Sequence, residues 1–156
     1  MKKFKLFIVI IALSLNVYSQ NSRSILANIG TTVFSGIMDK SAEMGINCAV
    51  SINKIHLDLS SNAGNDKSSL NLGVVNLGYI IAIIPSICSI IPVVGLGMSN
   101  GNYKGMYSCD LFHSENQTYY YNLGFIGTIR LGDNLGLYTG IGTFESFRLG
   151  VIFGRF

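Results

Sequence analysis

The sequence predicts an all-β fold, an eight-stranded, antiparallel, up-and-down β-barrel that crosses a membrane with its strands. Three features predict this fold. Apolar residues alternate with glycine or small polar residues, which is the period of a strand with two unlike faces. Charged residues mostly avoid the predicted strands. The links between strands alternate between longer polar segments and tight turns, as they do in outer-membrane barrels.

The clearest alternation lies in the last third of the chain, from Thr118 to Phe156, which predicts the three closing strands. The odd positions from Tyr119 to Leu131 are mainly apolar: Tyr119, Tyr121, Leu123, Phe125, Gly127, Ile129 and Leu131. The even positions are mixed or polar: Tyr120, Asn122, Gly124, Ile126, Thr128 and Arg130. A soluble sandwich also alternates, with its apolar face inward. The choice between a membrane barrel and a soluble sandwich therefore depends on how much polar surface the whole chain offers.

The start of the chain has the pattern of a secretory signal. Three lysines precede an apolar run from Leu6 to Leu15, and Ser19 fits a cleavage site before Gln20. The predicted organisation is a signal peptide at 1–19 and one outer-membrane barrel domain at 20–156. We therefore expect the chain in the cell outer membrane, in contact with outer-membrane lipid and inserted by the barrel-assembly machinery.

The charges support the membrane interpretation. Without the three signal lysines, the eleven basic residues become eight, which balance the eight acidic residues. These eight basic and eight acidic residues are few for a soluble domain, in which about a quarter of the residues are charged. Most charges, Glu145 among them, fall in or beside predicted links, and the strands contain mainly Asp58, Arg130, Arg148 and Arg155. Strands without charge suit lipid, and a chain without a basic patch gives no indication of a nucleic-acid partner.

The remaining elements follow in order along the chain. The predicted strands cover 24–35, 42–52, 55–60, 70–82 and 88–99, before the three closing strands. The longer polar links are 36–41, 61–69 and 100–117, and the tight ones are Asn53-Lys54, Pro85-Ser86 and Asp133-Asn134. The last link, near 144–146, is short where the alternation would favour a long one. Link 100–117 is the longest, and we expect it to meet an unidentified surface partner.

The apolar run from Leu72 to Met98 offers an alternative, because about 20 apolar residues can cross a bilayer as a helix. Pro85 and Pro92 would break or kink that helix, and its richness in Ile and Val favours strands. The strand interpretation places Pro85 in a turn. It leaves Pro92 inside a strand, where a ladder hydrogen bond is lost.

Aromatic residues mark both ends of the predicted barrel, as in the girdles of membrane barrels. One end has Tyr103, Tyr107, Phe112, Tyr119, Tyr120 and Tyr121, and the other has Phe153 and Phe156. Three cysteines make an odd count for an exported chain. Cys48 and Cys88 are expected to be small apolar residues in or near strands, and a Cys88–Cys109 bridge is the alternative. The sequence has no CxxC motif or metal-ligand spacing, and we predict no cofactor.

Several stretches resemble a known family. These are AEMGINCAVSINKIHLDL (42–59), NLGYIIAIIPSICSIIPVVGLG (76–97), YYNLGFIGTIRL (120–131), GLYTG (136–140) and FRLGVIFGRF (147–156). Together they resemble small outer-membrane β-barrel proteins of uncharacterised function, of the OmpA/OmpX barrel type. The resemblance implies an exported envelope protein with an eight-stranded barrel and no enzyme activity.

The interior of such a barrel is narrow and is filled by side chains. The predicted interior positions are polar: Asn28, Thr32, Asn47, Ser51, His56, Asp58, Asn122, Thr128, Arg130 and Arg148. We expect His56, Asp58, Arg130 and Arg148 to form a polar network, because an isolated charge there would be costly. The alternative is catalytic, since His56 and Asp58 share a strand face and Ser51 or Ser60 could complete an acid–base–nucleophile set.

Three functions follow from these patterns. The first is a structural or surface-interaction barrel that is plugged by its own side chains. The second is an exported lipocalin-like barrel that binds a small apolar ligand, which requires Leu123, Phe125 and Ile129 to point inward. The third is an envelope enzyme that uses His56 and Asp58 in an accessible cleft.

Overall fold

The computed structural model describes residues 24–35, 42–62, 72–100, 110–114 and 117–154. The strands within these ranges are β1 (Ile25–Ser35), β2 (Ala42–Ile52), β3 (Ile55–Ser61), β4 (Leu72–Tyr79), β5 (Ile81–Ile84), β6 (Cys88–Asn100), β7 (Asp110–Ser114), β8 (Gln117–Arg130), β9 (Leu135–Gly142) and β10 (Phe147–Gly154). The predicted signal peptide at 1–19, the link at 36–41 and most of the links at 61–69 and 100–117 lie outside the described residues.

The strands close into a barrel because eight of them each pair with two neighbours, with β1 between β2 and β10 and β6 between β4 and β8. Around the barrel the order is β1-β2-β3-β4-β6-β8-β9-β10, and every neighbouring pair is antiparallel. The predicted eight-stranded antiparallel barrel is confirmed. Two further strands extend it. β5 continues β4 beyond Ile80 and pairs with β6, while β7 lies within the predicted link 100–117 and pairs with the start of β8.

The two faces of the sheet have the predicted orientation. Leu123, Phe125 and Ile129 are each 56% exposed on the outer surface. On the neighbouring parity, Asn122 and Thr128 are buried. The lipocalin-like alternative is therefore wrong, because it required the three apolar residues to point inward around a cavity.

The apolar run from Leu72 to Met98 is strand, so the helix alternative is wrong. Within the described ranges, no helix is long and apolar enough to cross a membrane. The structure also accounts for Pro92. The β4–β6 register ends with Gly78 opposite Val93, and pairing with β6 resumes from β5 with Ile81 opposite Ile90. Pro92 lies in this gap, where its missing N–H interrupts no registered pair with β4 or β5.

The predicted tight turns lie between the expected strands. Asn53 has φ 58° in the turn between β2 and β3, and Ser86 has φ 63° in the turn between β5 and β6. Asparagine tolerates this left-handed conformation better than most residues, which explains the short link at Asn53-Lys54.

The two cysteines in the described residues lie on strands, as predicted. Cys48 lies exposed on the outer face and Cys88 is partly buried, and both are free thiols. The alternative Cys88–Cys109 bridge is thus not formed, although Cys109 itself lies outside the described residues.

Phe112 and Tyr121 are exposed near one end, as a girdle requires. Tyr120 is a correction, because its even position turns its ring into the barrel, where it is 1% exposed.

Candidate functional site

The barrel interior has three layers along its axis. One apolar cluster consists of Leu26, Ile91, Val93, Ile126, Tyr138 and Ile152. The other consists of Phe34, Leu72, Val74, Tyr120 and Phe144. Buried polar residues lie between the clusters on β1 and β8, the two strands that contribute to both clusters. On β8, for example, Asn122 lies between Tyr120 of one cluster and Ile126 of the other. A polar layer is thus enclosed by apolar layers.

Arg148 is the centre of this polar layer. It projects inward from β10 and is completely buried. Its Nη1 contacts Asp58 Oδ2, and its Nη2 contacts Glu145 Oε2. Burying a guanidinium is tolerated only where paired charges and hydrogen bonds compensate for the lost water, and the two carboxylates supply them.

Two asparagines connect the carboxylates to neighbouring strands. Asn76 Nδ2 donates to Glu145 Oε2 at 2.9 Å and to Asp58 Oδ2 at 3.2 Å. Asn122 Nδ2 donates to Glu145 Oε2 at 3.0 Å and to Asn76 Oδ1 at 2.7 Å. We call the set of Asp58, Glu145, Arg148, Asn76 and Asn122 the ion cluster. It joins four strands and one link.

Glu145 enters the ion cluster because the link from 143 to 146 folds into the barrel. Phe144 stacks on Tyr120 with ring centroids 5.1 Å apart and meets Phe34 edge-on at 5.9 Å. Its backbone N–H donates to Asn122 Oδ1 at 3.0 Å, and Ser146 N donates to Val33 O at 3.0 Å. The sequence placed Glu145 in a link, which is correct, but gave it no role in the interior. The only signal was a phenylalanine beside a glutamate in a link that was too short for its end of the barrel.

Interior glycines make room for these large side chains. A Cβ atom at Gly140 would lie 2.9 Å from Arg148 Cγ, and one at Gly97 would lie 2.8 Å from Phe144 Cδ1. Real Cβ contacts are almost never this short, so the two glycines let Arg148 and Phe144 lie against the backbone of neighbouring strands.

Arg130 does not lie with the other predicted network residues. It is eight positions beyond Asn122 on β8, roughly 26 Å along the strand at 3.3 Å per residue. At that end its Nη2 contacts Asp133 Oδ1 at 2.8 Å and its Nε donates to Gly132 O at 2.7 Å. The expectation that Arg130 joins the interior network is therefore corrected. The interior parity was right, but the position along the axis places Arg130 beside an exposed turn.

His56 and Asp58 face the interior together but have different partners. His56 Nδ1 lies 2.8 Å from Ser51 Oγ, whereas Asp58 contacts Arg148 and Asn76. All three residues of the suggested acid–base–nucleophile set are buried, with Ser51 at 1% exposure. An acid, base and nucleophile must be within reach of one another and of a substrate. Ser51 and His56 are within reach of each other, but Asp58 is paired elsewhere and none of the three is open to a substrate. No group of three or more metal-ligating side chains occurs in the described part of the chain.

Comparison with known proteins gives a match in fold only. No protein-family model matches the sequence, and no curated protein does. A solved structure from the de novo design of transmembrane β-barrels is 17% identical, with a TM-score of 0.51 over 86% of this chain and 98% of that one. The N-terminal β-barrel domain of OprF from Pseudomonas aeruginosa is 16% identical, with a TM-score of 0.51 over 86% of this chain and 99% of that one. Ail from Yersinia pestis, solved with the heparin analogue sucrose octasulfate, is 14% identical, with a TM-score of 0.49 over 85% and 97% of the two chains.

These identities are too low to transfer a function. The designed barrel and the OprF domain both have a TM-score of 0.51 with this chain, which supports a shared fold. Nearly the whole length of each of these two structures aligns with this chain. The chain therefore has the fold of the small eight-stranded outer-membrane β-barrels of the OmpA/OmpX type.

Proposed function

We propose that this protein is a small barrel of the cell outer membrane with a structural or surface-interaction role, and that its own side chains plug its interior. The observation that carries the proposal is the ion cluster enclosed between two apolar layers. In this proposal residues 1–19 direct export, and the barrel-assembly machinery inserts the mature chain.

The outer surface supports contact with outer-membrane lipid. The exposed large apolar residues come from every strand of the closed barrel, and they include Ile29, Ile46, Leu59, Leu77, Leu96, Leu123, Leu137 and Leu149. A water-soluble monomer rarely exposes contiguous apolar patches of more than a few hundred square ångströms. A belt of this kind around a barrel matches the apolar band that faces hydrocarbon.

The interior supports a closed rather than a conducting barrel. A permeating ion would have to pass Phe144 and Tyr120, break the Arg148 contacts, and then pass Ile91 and Ile126, all of which are buried. Eight-stranded barrels are just wide enough for side chains to fill them. We therefore propose that the protein conducts neither ions nor solutes.

The same burial argues against catalysis in the interior. Ser51 and His56 form a hydrogen-bonded pair, yet neither reaches a surface where a substrate could bind. Asp58, which would orient the histidine in a hydrolase, contacts Arg148 instead. We therefore propose that the protein has no enzyme activity and uses no cofactor.

The surface role is assigned to the link 100–117. Within it, β7 pairs with β8, and the exposed ring of Phe112 lies 4.6 Å from that of Tyr119. An aromatic pair of this kind at a barrel end suits either the lipid headgroup region or a partner's surface. We propose that the segment beyond this pair meets the partner.

The proposal is tested by fractionating cells that produce the full chain, with membrane samples run on SDS gels with and without heating. A plugged outer-membrane barrel is expected in the outer-membrane fraction, with a mobility that changes on boiling. Purified protein in planar bilayers should give no conductance steps above those of empty detergent. A periplasmic, heat-unmodified product would overturn the location, and reproducible conductance from the folded band would overturn the plugged interior.

A further inference from the structure

Six buried side-chain polar atoms in the described part of the chain have no hydrogen-bond partner. Two are the hydroxyl oxygens of Ser60 and Ser99, and the other four are Asn28 Oδ1, His56 Nε2, Asp58 Oδ1 and Arg148 Nε. Asn28 is 5% exposed and the other three residues are 0% exposed. A buried polar atom left unpaired loses its hydrogen bonds to water without replacement, so several such atoms would weaken the fold considerably. Something must satisfy them that the chain's own side chains do not supply.

The strand register brings two of these residues to either side of one small side chain. Asn28 on β1 and Asp58 on β3 both lie opposite Ala49 on β2, and all three share the inward parity. Two strand spacings separate Asn28 from Asp58, which is roughly 10 Å between Cα atoms. On β2, the residue opposite both of them is Ala49, whose side chain is only a methyl group. Two hydrogen bonds through one shared atom span about 5.6 Å, which fits between side chains of this length.

The unpaired atoms have complementary hydrogen-bonding roles. Asn28 Oδ1 and Asp58 Oδ1 are acceptors, and Arg148 Nε is a donor. The other carboxylate oxygen of Asp58 already contacts Arg148 Nη1, so the guanidinium and the free Asp58 oxygen lie in the same neighbourhood. A water molecule accepts from one donor and donates to two acceptors, which is the combination these three atoms require.

We propose that a water molecule is bound over Ala49, where it accepts from Arg148 Nε and donates to Asn28 Oδ1 and Asp58 Oδ1. It is a structural member of the ion cluster. Water fits better than a cation, because the guanidinium of Arg148 would repel a cation held by Asp58. Buried water is also common, at about one molecule per 27 residues, and such waters typically make about three hydrogen bonds. This inference requires only the closed barrel and is independent of the proposed cellular role.

The direct test is a high-resolution crystal structure of the full chain. We expect a density peak within hydrogen-bond distance, about 2.7–3.2 Å, of both Asn28 Oδ1 and Asp58 Oδ1. Direct hydrogen bonds among the four atoms, or no density between the two acceptors, would overturn the inference.

A second test uses NMR of the protein in micelles, with a water-to-amide cross-peak at the N–H of Ala49 as the readout. Asn28→Leu removes one acceptor and places methyl groups at the site, so the cross-peak should disappear. Asn47→Leu is the matched control, because Asn47 Oδ1 accepts directly from Tyr138 Oη at 2.6 Å. The cross-peak should persist in that control. Persistence in Asn28→Leu would contradict Asn28 Oδ1 as an acceptor of the water, and absence from the folded wild type would contradict a bound water.

Discussion

The guanidinium of Arg148 contacts the carboxylate of Glu145 inside the barrel, although the two residues lie on different structural elements, a strand and a link. They are three positions apart in the chain. The inward fold of residues 143–146 brings them together, and Asp58 completes the cluster from β3. One short link thus supplies both a counter-ion for Arg148 and, through Phe144, an apolar cover for the layer that contains it.

Replacement of Arg148 by methionine should therefore destabilise the barrel severely. The change leaves the carboxylates of Asp58 and Glu145 buried without a cation, and breaking a buried pair in this way costs about 3–5 kcal/mol. The measurement is the urea midpoint for loss of the unheated gel mobility in micelles. Arg130→Met is the matched control, because Arg130 pairs with an exposed Asp133 and surface pairs are worth about 0–1 kcal/mol.

The same variant allows a rescue experiment. Combining Arg148→Met with Asp58→Asn and Glu145→Gln removes all three charges, and it should recover a large part of the lost stability. Equal midpoints for Arg148→Met and Arg130→Met, or a triple variant no more stable than Arg148→Met alone, would contradict the ion cluster as described.

Phe144 should contribute more to stability than an aromatic residue on the lipid face. Its ring is completely buried between Tyr120 and Phe34, and truncation of such a ring to alanine costs about 3–5 kcal/mol. Phe153→Ala is the control, since Phe153 is about half exposed on the outer surface. Thermal loss of the compact gel band should occur at a distinctly lower temperature for Phe144→Ala. A similar temperature for both variants would mean that the link does not pack inside.

Tyr138 crosses the inner surface of β10 and β1 to reach Asn47, and glycines provide its path. A Cβ atom at Gly30 would lie 2.4 Å from Tyr138 Oη and 2.3 Å from Leu149 O. Gly30→Ala should therefore destabilise the barrel by about 1–3 kcal/mol, the usual cost of overpacking. Gly73→Ala is the matched control, since a Cβ there meets no atom within 4 Å. Equal urea midpoints for the two variants would contradict this packing.

A charge on the outer face should be costly in proportion to its depth in the bilayer. Leu123 lies near the middle of β8 and Leu131 just beyond its end, and both are exposed. In lipid vesicles, Leu123→Arg should lose about 2–4 kcal/mol of folding free energy and Leu131→Arg about 0–1 kcal/mol. If the two substitutions cost the same, the outer face does not lie against hydrocarbon.

The fold could be predicted because alternation is a local property of a strand. The even and odd positions of β8 separate Asn122 from Leu123 without any knowledge of the neighbouring strands. The same alternation predicted that polar residues face the interior. The structure buries nine of the ten predicted there: Asn28, Thr32, Asn47, Ser51, His56, Asp58, Asn122, Thr128 and Arg148.

The membership of the ion cluster could not be predicted in the same way. Parity fixes the face of a residue but not its height in the barrel, which depends on the stagger between strands. Arg130 therefore appeared equivalent to Arg148, although the structure places it beside Asp133 at a turn. Glu145 was missed for a different reason, because a link has no periodicity that shows whether it folds inward or outward.

The orientation of the sheet is tested most directly by a nitroxide scan of β8 in lipid vesicles. Single cysteines would be placed from Asn122 to Ile129 in a chain with Cys48, Cys88 and Cys109 replaced by alanine. The measurement is the collision rate of each nitroxide with oxygen, which concentrates in hydrocarbon, and with a water-soluble nickel chelate. We predict high oxygen accessibility at positions 123, 125, 127 and 129, with low accessibility to both reagents at the intervening positions. High nickel accessibility at the odd positions, or no alternation, would contradict a barrel with its apolar face toward lipid and its ion cluster inside.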